Sequence, residues 1–197
     1  LFDEPSAAAY ANVYKNVIGN QTYLVFDVGV GTFDLSIVRI VKGNLQVLRR
    51  DGNSITGGND LTRLMMDLIL DKYEKNYQSL SDKNKRKLWI KAEETKESLS
   101  SLEYLDVQIE FLSEDDDEEV GITRSEYEAK ISRIIENLIY QMNDFLRKIG
   151  YTKENIDRVL FVGGCTRVPL IKKKIEEYKS RGDQIIFTSF LSHFTFI

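Results

Sequence analysis

Between Thr22 and Asp51, apolar and β-branched residues arrive in three short runs, TYLVFDV, FDLSIVRIV and LQVLRR, separated by glycine-bearing turns. Such runs predict an antiparallel meander of three strands. From Asn59 to Ser101 the spacing becomes helical. Leu61, Leu64, Met65, Leu68 and Ile69 form one stripe, and Leu88, Ala92, Thr95 and Leu99 form another, so two long helices follow the sheet. The segment LEYLDVQIEFL predicts a hairpin, accompanied by an acidic run from Glu114 to Glu119 that reads as a solvated loop tip. Thr123 and Glu126 fit a capping box, in which each side chain satisfies an otherwise orphaned backbone N–H. That box opens a helix through EYEAKISRIIENLIYQMNDFLRKIG, stopped at Gly150. A strand, RVLFVGG, and a helix after Thr166 complete the regular part.

A chain of 197 residues with 42% hydrophobic residues can bury a sizeable core, as one domain or two small ones. Its net charge of -4 argues against a general nucleic-acid binder and does not point to a membrane surface. One cysteine excludes an internal disulfide framework and one histidine excludes the usual zinc clusters. A reducing compartment fits, with cytoplasm expected and an organellar lumen open. The start, LFDEPSAAAY, has no basic region ahead of an apolar stretch and reads as the middle of something larger.

Candidate chemistry begins at VFDVGVGTFDLS, Val25 to Ser36. Gly29 and Gly31 let backbone N–H groups approach an anion, while Asp27 and Asp34 offer carboxylates for a metal-bound water. The competing reading is a hairpin whose glycines supply positive φ. Two further glycine pairs, Gly57–Gly58 ahead of a helix and Gly163–Gly164 between a strand and a helix, present amide donors at helix starts. Three such places suit one polyphosphate ligand, so nucleotide binding is the favoured reading. Glu93, Lys96 and Ser100 make a polar row on the second helix. That row is either a ribose- or base-binding edge or an ordinary solvated face.

Taken in order, EPSAAAYA, FDVGVGTFDLSI, GGNDLT, AEETKESLSS, ITRSEYE and VGGCTRVP resemble the ATPase domain of the seventy-kilodalton heat-shock chaperone family. The resemblance runs from Glu4 to Tyr178. It implies an α/β fold, the actin-like (ribonuclease H-like) ATPase fold, of which this chain is the second lobe. A mixed sheet flanked by helices is expected from 1–56 with 131–197, and a smaller α+β subdomain from 57–130. The family's first phosphate loop, its catalytic lysine and the rest of lobe one are expected before Leu1, and its peptide-binding domain after the end. The isolated chain is therefore expected to be nearly inactive as an ATPase.

Carried over by motif, Asp27, Gly29, Gly31 and Thr32 form the second phosphate loop, with Asp27 near magnesium through water and Thr32 near the γ-phosphate. Asp34 is the second acidic position of that motif, and Glu4 matches the glutamate that couples nucleotide state to the rest of the chaperone. Gly57 and Gly58 lie by the phosphates; Glu93, Lys96 and Ser100 bind ribose and adenine; Gly163, Gly164 and Arg167 close the other side. The implied cofactors are ATP or ADP and Mg2+. The implied partners are co-chaperones and nucleotide exchange factors, with client peptide bound only through the peptide-binding domain. Three departures stand out. Val30 replaces the usual middle glycine of the loop and is expected to restrict it. Glu97 replaces an arginine expected against the adenine face, and so removes a cation–π contact. The tail DQIIFTSFLSHFTFI replaces a proline-aspartate segment and is expected to pack as a strand against the sheet containing Val159 to Val162. The rival readings are a lobe of an actin-like sugar or acetate kinase and a nucleotide-independent docking module for co-chaperones.

Overall fold

The computed structural model describes residues 20–53, 56–112 and 119–178. Its elements are β1 (Gln21–Val28), β2 (Phe33–Val41), β3 (Asn44–Asn53), α1 (Gly58–Lys72), α2 (Asp82–Ser98), β4 (Tyr104–Gln108), β5 (Glu119–Thr123), α3 (Arg124–Lys148), β6 (Arg158–Val162) and α4 (Pro169–Tyr178). They divide into two compact units. One reaches to Gly58 and resumes at Ile135; the other is Asn59–Ile134.

The first unit is built on a four-stranded sheet of order β3-β2-β1-β6. β1, β2 and β3 form the antiparallel meander, and β6 runs parallel to β1. Central strands covered on both faces lose hydrophobic alternation, and every residue from Tyr23 to Val28 is buried. One face gathers Tyr23, Val25, Val38, Ile40, Leu160 and Val162, with Leu45 and Val47 packed against them. On the other, Phe26 meets Phe33 and Phe161 edge to face, at 4.9 and 5.7 Å between ring centres. Between Ile37 and Val38 the β2–β3 register shifts, and Leu48 is the extra residue.

In the second unit, Leu61, Met65, Leu68 and Ile69 of α1 are buried and Leu64 is half-buried; Leu88, Ala92, Thr95 and Leu99 are buried as the spacing predicts. The Tyr73 hydroxyl donates to the Val107 carbonyl (2.8 Å) and accepts from the Ile109 N–H (3.1 Å), tying the end of α1 to β4. LEYLDVQIEFL supplies only one strand, β4, and not the whole hairpin expected of it; its antiparallel partner is β5, beyond the acidic run, and Glu119 itself begins that strand. Residues 114–118 of that run lie outside the described residues, as do Glu4 and the tail.

The capping box forms at the start of α3. Glu126 accepts from the Thr123 N–H at 2.9 Å, and the Glu126 N–H donates to Thr123 Oγ1 at 3.2 Å. The helix runs to Lys148, and Gly150 follows at φ +72°. Lys72 adds an ion pair to Glu126 at 2.6 Å. Donation by Lys72, then by the Thr123 N–H and hydroxyl, holds the Glu126 carboxyl down at about 2, well below the usual carboxylate range. A carboxyl depressed in the folded chain contributes stability that is present above its unfolded pKa and lost as pH falls through its folded value. For Glu126 the window runs from 4.5 down to about 2. Glu126→Gln is expected to lower the neutral-pH melting temperature by a few degrees, corresponding to about 1 kcal/mol or less because the side chain is partly solvated. The gap from the parent should close across that acid window, as thermal melts at a series of pH values would record.

Candidate functional site

Residues directly opposed in a sheet share a face. Following one face of the first unit's sheet, β1 presents Tyr23, Val25 and Asp27, β2 presents Ile40, Val38, Ser36 and Asp34, and β6 presents Leu160 and Val162. The face is apolar at one end and acidic at the other. Because β1 and β6 are parallel, their C-terminal ends lie on the same edge, and the glycine turns that follow them are brought together there.

The loops touch through backbone. The Gly29 N–H donates to the Thr32 carbonyl at 2.9 Å and closes the turn. The Gly29 carbonyl accepts from the Gly58 N–H at 2.9 Å and from the Cys165 thiol at 3.5 Å, so one oxygen links all three glycine segments. A Cβ on Gly57 would lie 2.7 Å from the Gly31 Cα, and one on Gly58 would lie 2.6 Å from Cys165 Sγ. Gly163 has φ +82°; a Cβ there would overlap the Val28 carbonyl and approach Asp27 Oδ1 to 2.8 Å. These glycines let the loops approach one another. Gly164 differs, because its φ is not positive and no described atom lies within 4 Å of where its Cβ would be.

The positive-φ glycines among the described residues are Gly43, Gly150 and Gly163. Gly29 and Gly31 therefore do not serve the turn through positive φ, as the hairpin reading had it. Val30, 68% exposed, is not at positive φ either, so it is accommodated without backbone strain. Gly163 and Gly164 lead into a single 3-10 turn, Gly164–Arg167, instead of directly into a helix; α4 starts only at Pro169. Thr166 holds that turn by donating its hydroxyl to the Gly163 carbonyl at 2.7 Å.

Asp27 is buried beside Gly163, whereas Thr32, Asp34 and Arg167 are exposed. Thr32 and Asp34 line an open depression of about 460 Å³ together with Arg50, Asp51, Gly52 and Asn53. Glu93, Lys96 and Ser100 belong to the second unit. Lys96 is buried there, donating to Thr62 Oγ1 at 2.8 Å with Glu93 at 3.8 Å, so the row is not a solvated face at its centre. Ser100 lies beyond the last residue of α2, Ser98, and its hydroxyl reaches the Lys96 carbonyl at 3.5 Å. Glu97 is exposed.

Three contributors were missed in the sequence. Cys165 sits inside VGGCTRVP next to the glycines, and its small apolar side chain was the available signal. Asn53 accepts from the Thr56 N–H (3.0 Å) and donates to Gln141 (2.5 Å), fixing the approach to Gly57; nothing local marks it. Thr62, the partner of Lys96, stands in GGNDLT as an unremarkable helical residue. Among the described residues no three His, Cys, Asp or Glu side chains gather as a metal cluster.

A mixed sheet with clustered glycine turns at its strand ends, flanked by helices and joined to a smaller α+β unit, is an α/β domain of the actin-like ATPase class. The model of the family described as Hsp70 protein matches residues 1–184, and the chain belongs to the Hsp70 family. It is 33% identical over 178 residues to a protein named chaperone protein HscA homolog from Aromatoleum aromaticum, covering 90% of this chain and 28% of that protein. A homolog of the same name from an Azoarcus species gives the same identity and coverage. It is 30% identical over 193 residues to chaperone protein dnaK3 of Synechococcus elongatus, covering 92% of this chain and 25% of that protein. The chain thus spans about a quarter of the length of these relatives. No helix among the described residues is long and apolar enough to cross a membrane.

The loop geometry separates two neighbouring glycines. Gly163→Ala is expected to cost about 2 kcal/mol or more, from the strained φ and the overlap with Val28. Gly164→Ala is expected to stay within about 0.5 kcal/mol of the parent. Urea denaturation of both variants checks the pair, and equal losses would contradict the packing described.

Proposed function

We propose that the chain is the second lobe of an Hsp70-type ATPase domain and that its glycine loops bind the phosphates of ATP or ADP. The observation that carries this reading is the meeting of three glycine segments, distant in sequence, beside the buried Asp27, with Gly164 bare although neither its φ nor a described neighbour excludes a Cβ. A backbone left bare without a packing reason is what close approach by a ligand requires.

In this reading Gly29, Gly31, Thr32, Gly57, Gly58, Gly163 and Gly164 cradle the phosphates, with Thr32 at the γ-phosphate. The donor set suits magnesium, a hard cation that keeps much of its water shell and takes one or two carboxylates alongside phosphate oxygens. Asp27, acting through water, and Asp34, opposite it across β1–β2, are those carboxylates. Bound magnesium would neutralise charge on the phosphates. Arg167 offers its guanidinium to the nucleotide. Glu93, Lys96 and Ser100 of the second unit are assigned to ribose and adenine, and Glu4 to coupling between nucleotide state and the rest of a chaperone. Hydrolysis by in-line attack of water depends on positioned groups and charge stabilisation, of which this chain supplies its share. Co-chaperones and exchange factors are the partners that the family reading implies.

Calorimetry of the 197-residue chain with ADP and magnesium tests the phosphate assignment. Gly164→Val is expected to weaken binding at least about tenfold while leaving the melting temperature unchanged. Asp27→Asn should remove the magnesium-dependent part. Absence of binding by the parent, or full affinity in Gly164→Val, would overturn the reading. The nucleoside assignment has its own check. Glu97→Arg is expected to tighten ADP by about 1 kcal/mol through a restored cation–π contact, and unchanged affinity would remove α2 from the adenine.

A further inference from the structure

Asp34 has two opposed neighbours: Asp27 on β1 and Gly52 on β3. The second pairing is a product of the bulge at Leu48. Continuing the Val38↔Val47 register without the extra residue would set Asp51, not Gly52, opposite Asp34. Asp27, Asp34 and Asp51 would then form one row of carboxylates on one face. With the bulge, the row ends in a glycine.

The Asp34 carboxylate occupies the space that this glycine leaves. A Cβ on Gly52 would overlap Asp34 Oδ1 and lie 3.2 Å from its Cγ, and the φ of Gly52 is not positive, so its backbone conformation gives no other reason for glycine. β2 lies between β3 and β1. A carboxylate resting over Gly52 therefore leans away from Asp27 and lines the depression shared with Thr32 and Arg50.

We infer that Gly52 is a positioning residue for Asp34: it seats the Asp34 carboxylate over β3 and so sets its separation from Asp27. The inference deepens the magnesium assignment made above and rests on it. A Cβ on Gly52 drives the Asp34 carboxylate off β3 and back toward Asp27, where like charges crowd and a hydrated cation no longer finds both groups at their native spacing. The same Cβ also meets the Phe33 carbonyl at 2.9 Å, a contact that does not involve the Asp34 side chain. One substitution alone therefore cannot separate the two effects.

The test is a double-mutant cycle on the 197-residue chain with Gly52→Ala, Asp34→Ala and the double variant. Melting temperatures are expected to show that Gly52→Ala costs several degrees less when Asp34 is already alanine. Calorimetry with ADP in the presence and absence of magnesium is the second readout. Gly52→Ala should shrink the affinity gain given by magnesium about fivefold while metal-free ADP binding holds within about twofold. A general loosening of the fold would lower both affinities together. Additive melting temperatures would overturn the inference, and so would coupling in the melts with an unchanged magnesium gain, because Gly52 would then only pack. If the parent binds no magnesium–ADP, the nucleotide reading fails, and the melting cycle still decides whether Gly52 seats Asp34.

Discussion

Parallel pairing of β1 with β6 is the constraint on which the loop end of the first unit depends. Asp27 stands opposite Val162, and the crossover between them carries the whole of the second unit. Closing so long a connection costs configurational entropy that grows only slowly with length. Burial of β1 from Tyr23 to Val28 on both faces offsets it. Without β6, β1 would become an edge, Gly163 would have no place against Val28, and the Gly29 carbonyl would lose the Cys165 thiol. The hydrophobic pairing that holds the core thus also assembles the polar end of the sheet.

At that end the glycines divide by what they touch. Gly57, Gly58 and Gly163 are needed because backbone or sulfur from a neighbouring loop stands where their Cβ would be. Packing therefore accounts for their lack of a side chain by itself, whatever their backbone N–H groups face. Gly164 has no such neighbour among the described residues. A glycine-rich motif is therefore not uniform evidence for a ligand. Where a neighbouring loop already excludes a Cβ, the glycine itself says nothing further of a solute; only a glycine without such a neighbour does.

Local patterns were legible and distant ones were not. The meander showed itself because Val, Ile and Phe runs alternate with glycine turns within a few residues, and the Thr123–Glu126 box because both partners lie in one helical turn. The two helical stripes were readable for the same reason, with Leu64 the one member that stays half-buried. The α/β class and the family followed from several motifs in fixed order. Among the features that escaped are the Leu48 bulge, the Cys165 contact with Gly29, the β5 partner of β4, the Asn53 bridge to Gln141, and the burial of Lys96 against Thr62. Each depends on a partner at least a strand or a helix away, and a buried lysine in particular looks like any solvated lysine until its partner is placed. The turn of Gly29 and Gly31 was located correctly, but its glycines do not work through positive φ. Gly29 instead works through a carbonyl that two distant donors reach.

Charge placement explains why the sheet can turn from apolar to acidic within one face. Opposed carboxylates on neighbouring strands destabilise a sheet, and a buried one carries a desolvation penalty besides. Asp27 is buried, and the placement of Asp34 also bears on the repulsion between the two. Two features of Asp34 lower that repulsion. Asp34 is exposed, where water screens it, and its side chain leans over Gly52 toward β3, away from Asp27. The bulge then keeps Asp51 out of the row, although Asp51 is only one residue from Gly52. An inserted residue at Leu48 is therefore more than a local irregularity: by changing which side of β3 faces Asp34, it lets two aspartates stand together at the strand ends without a third.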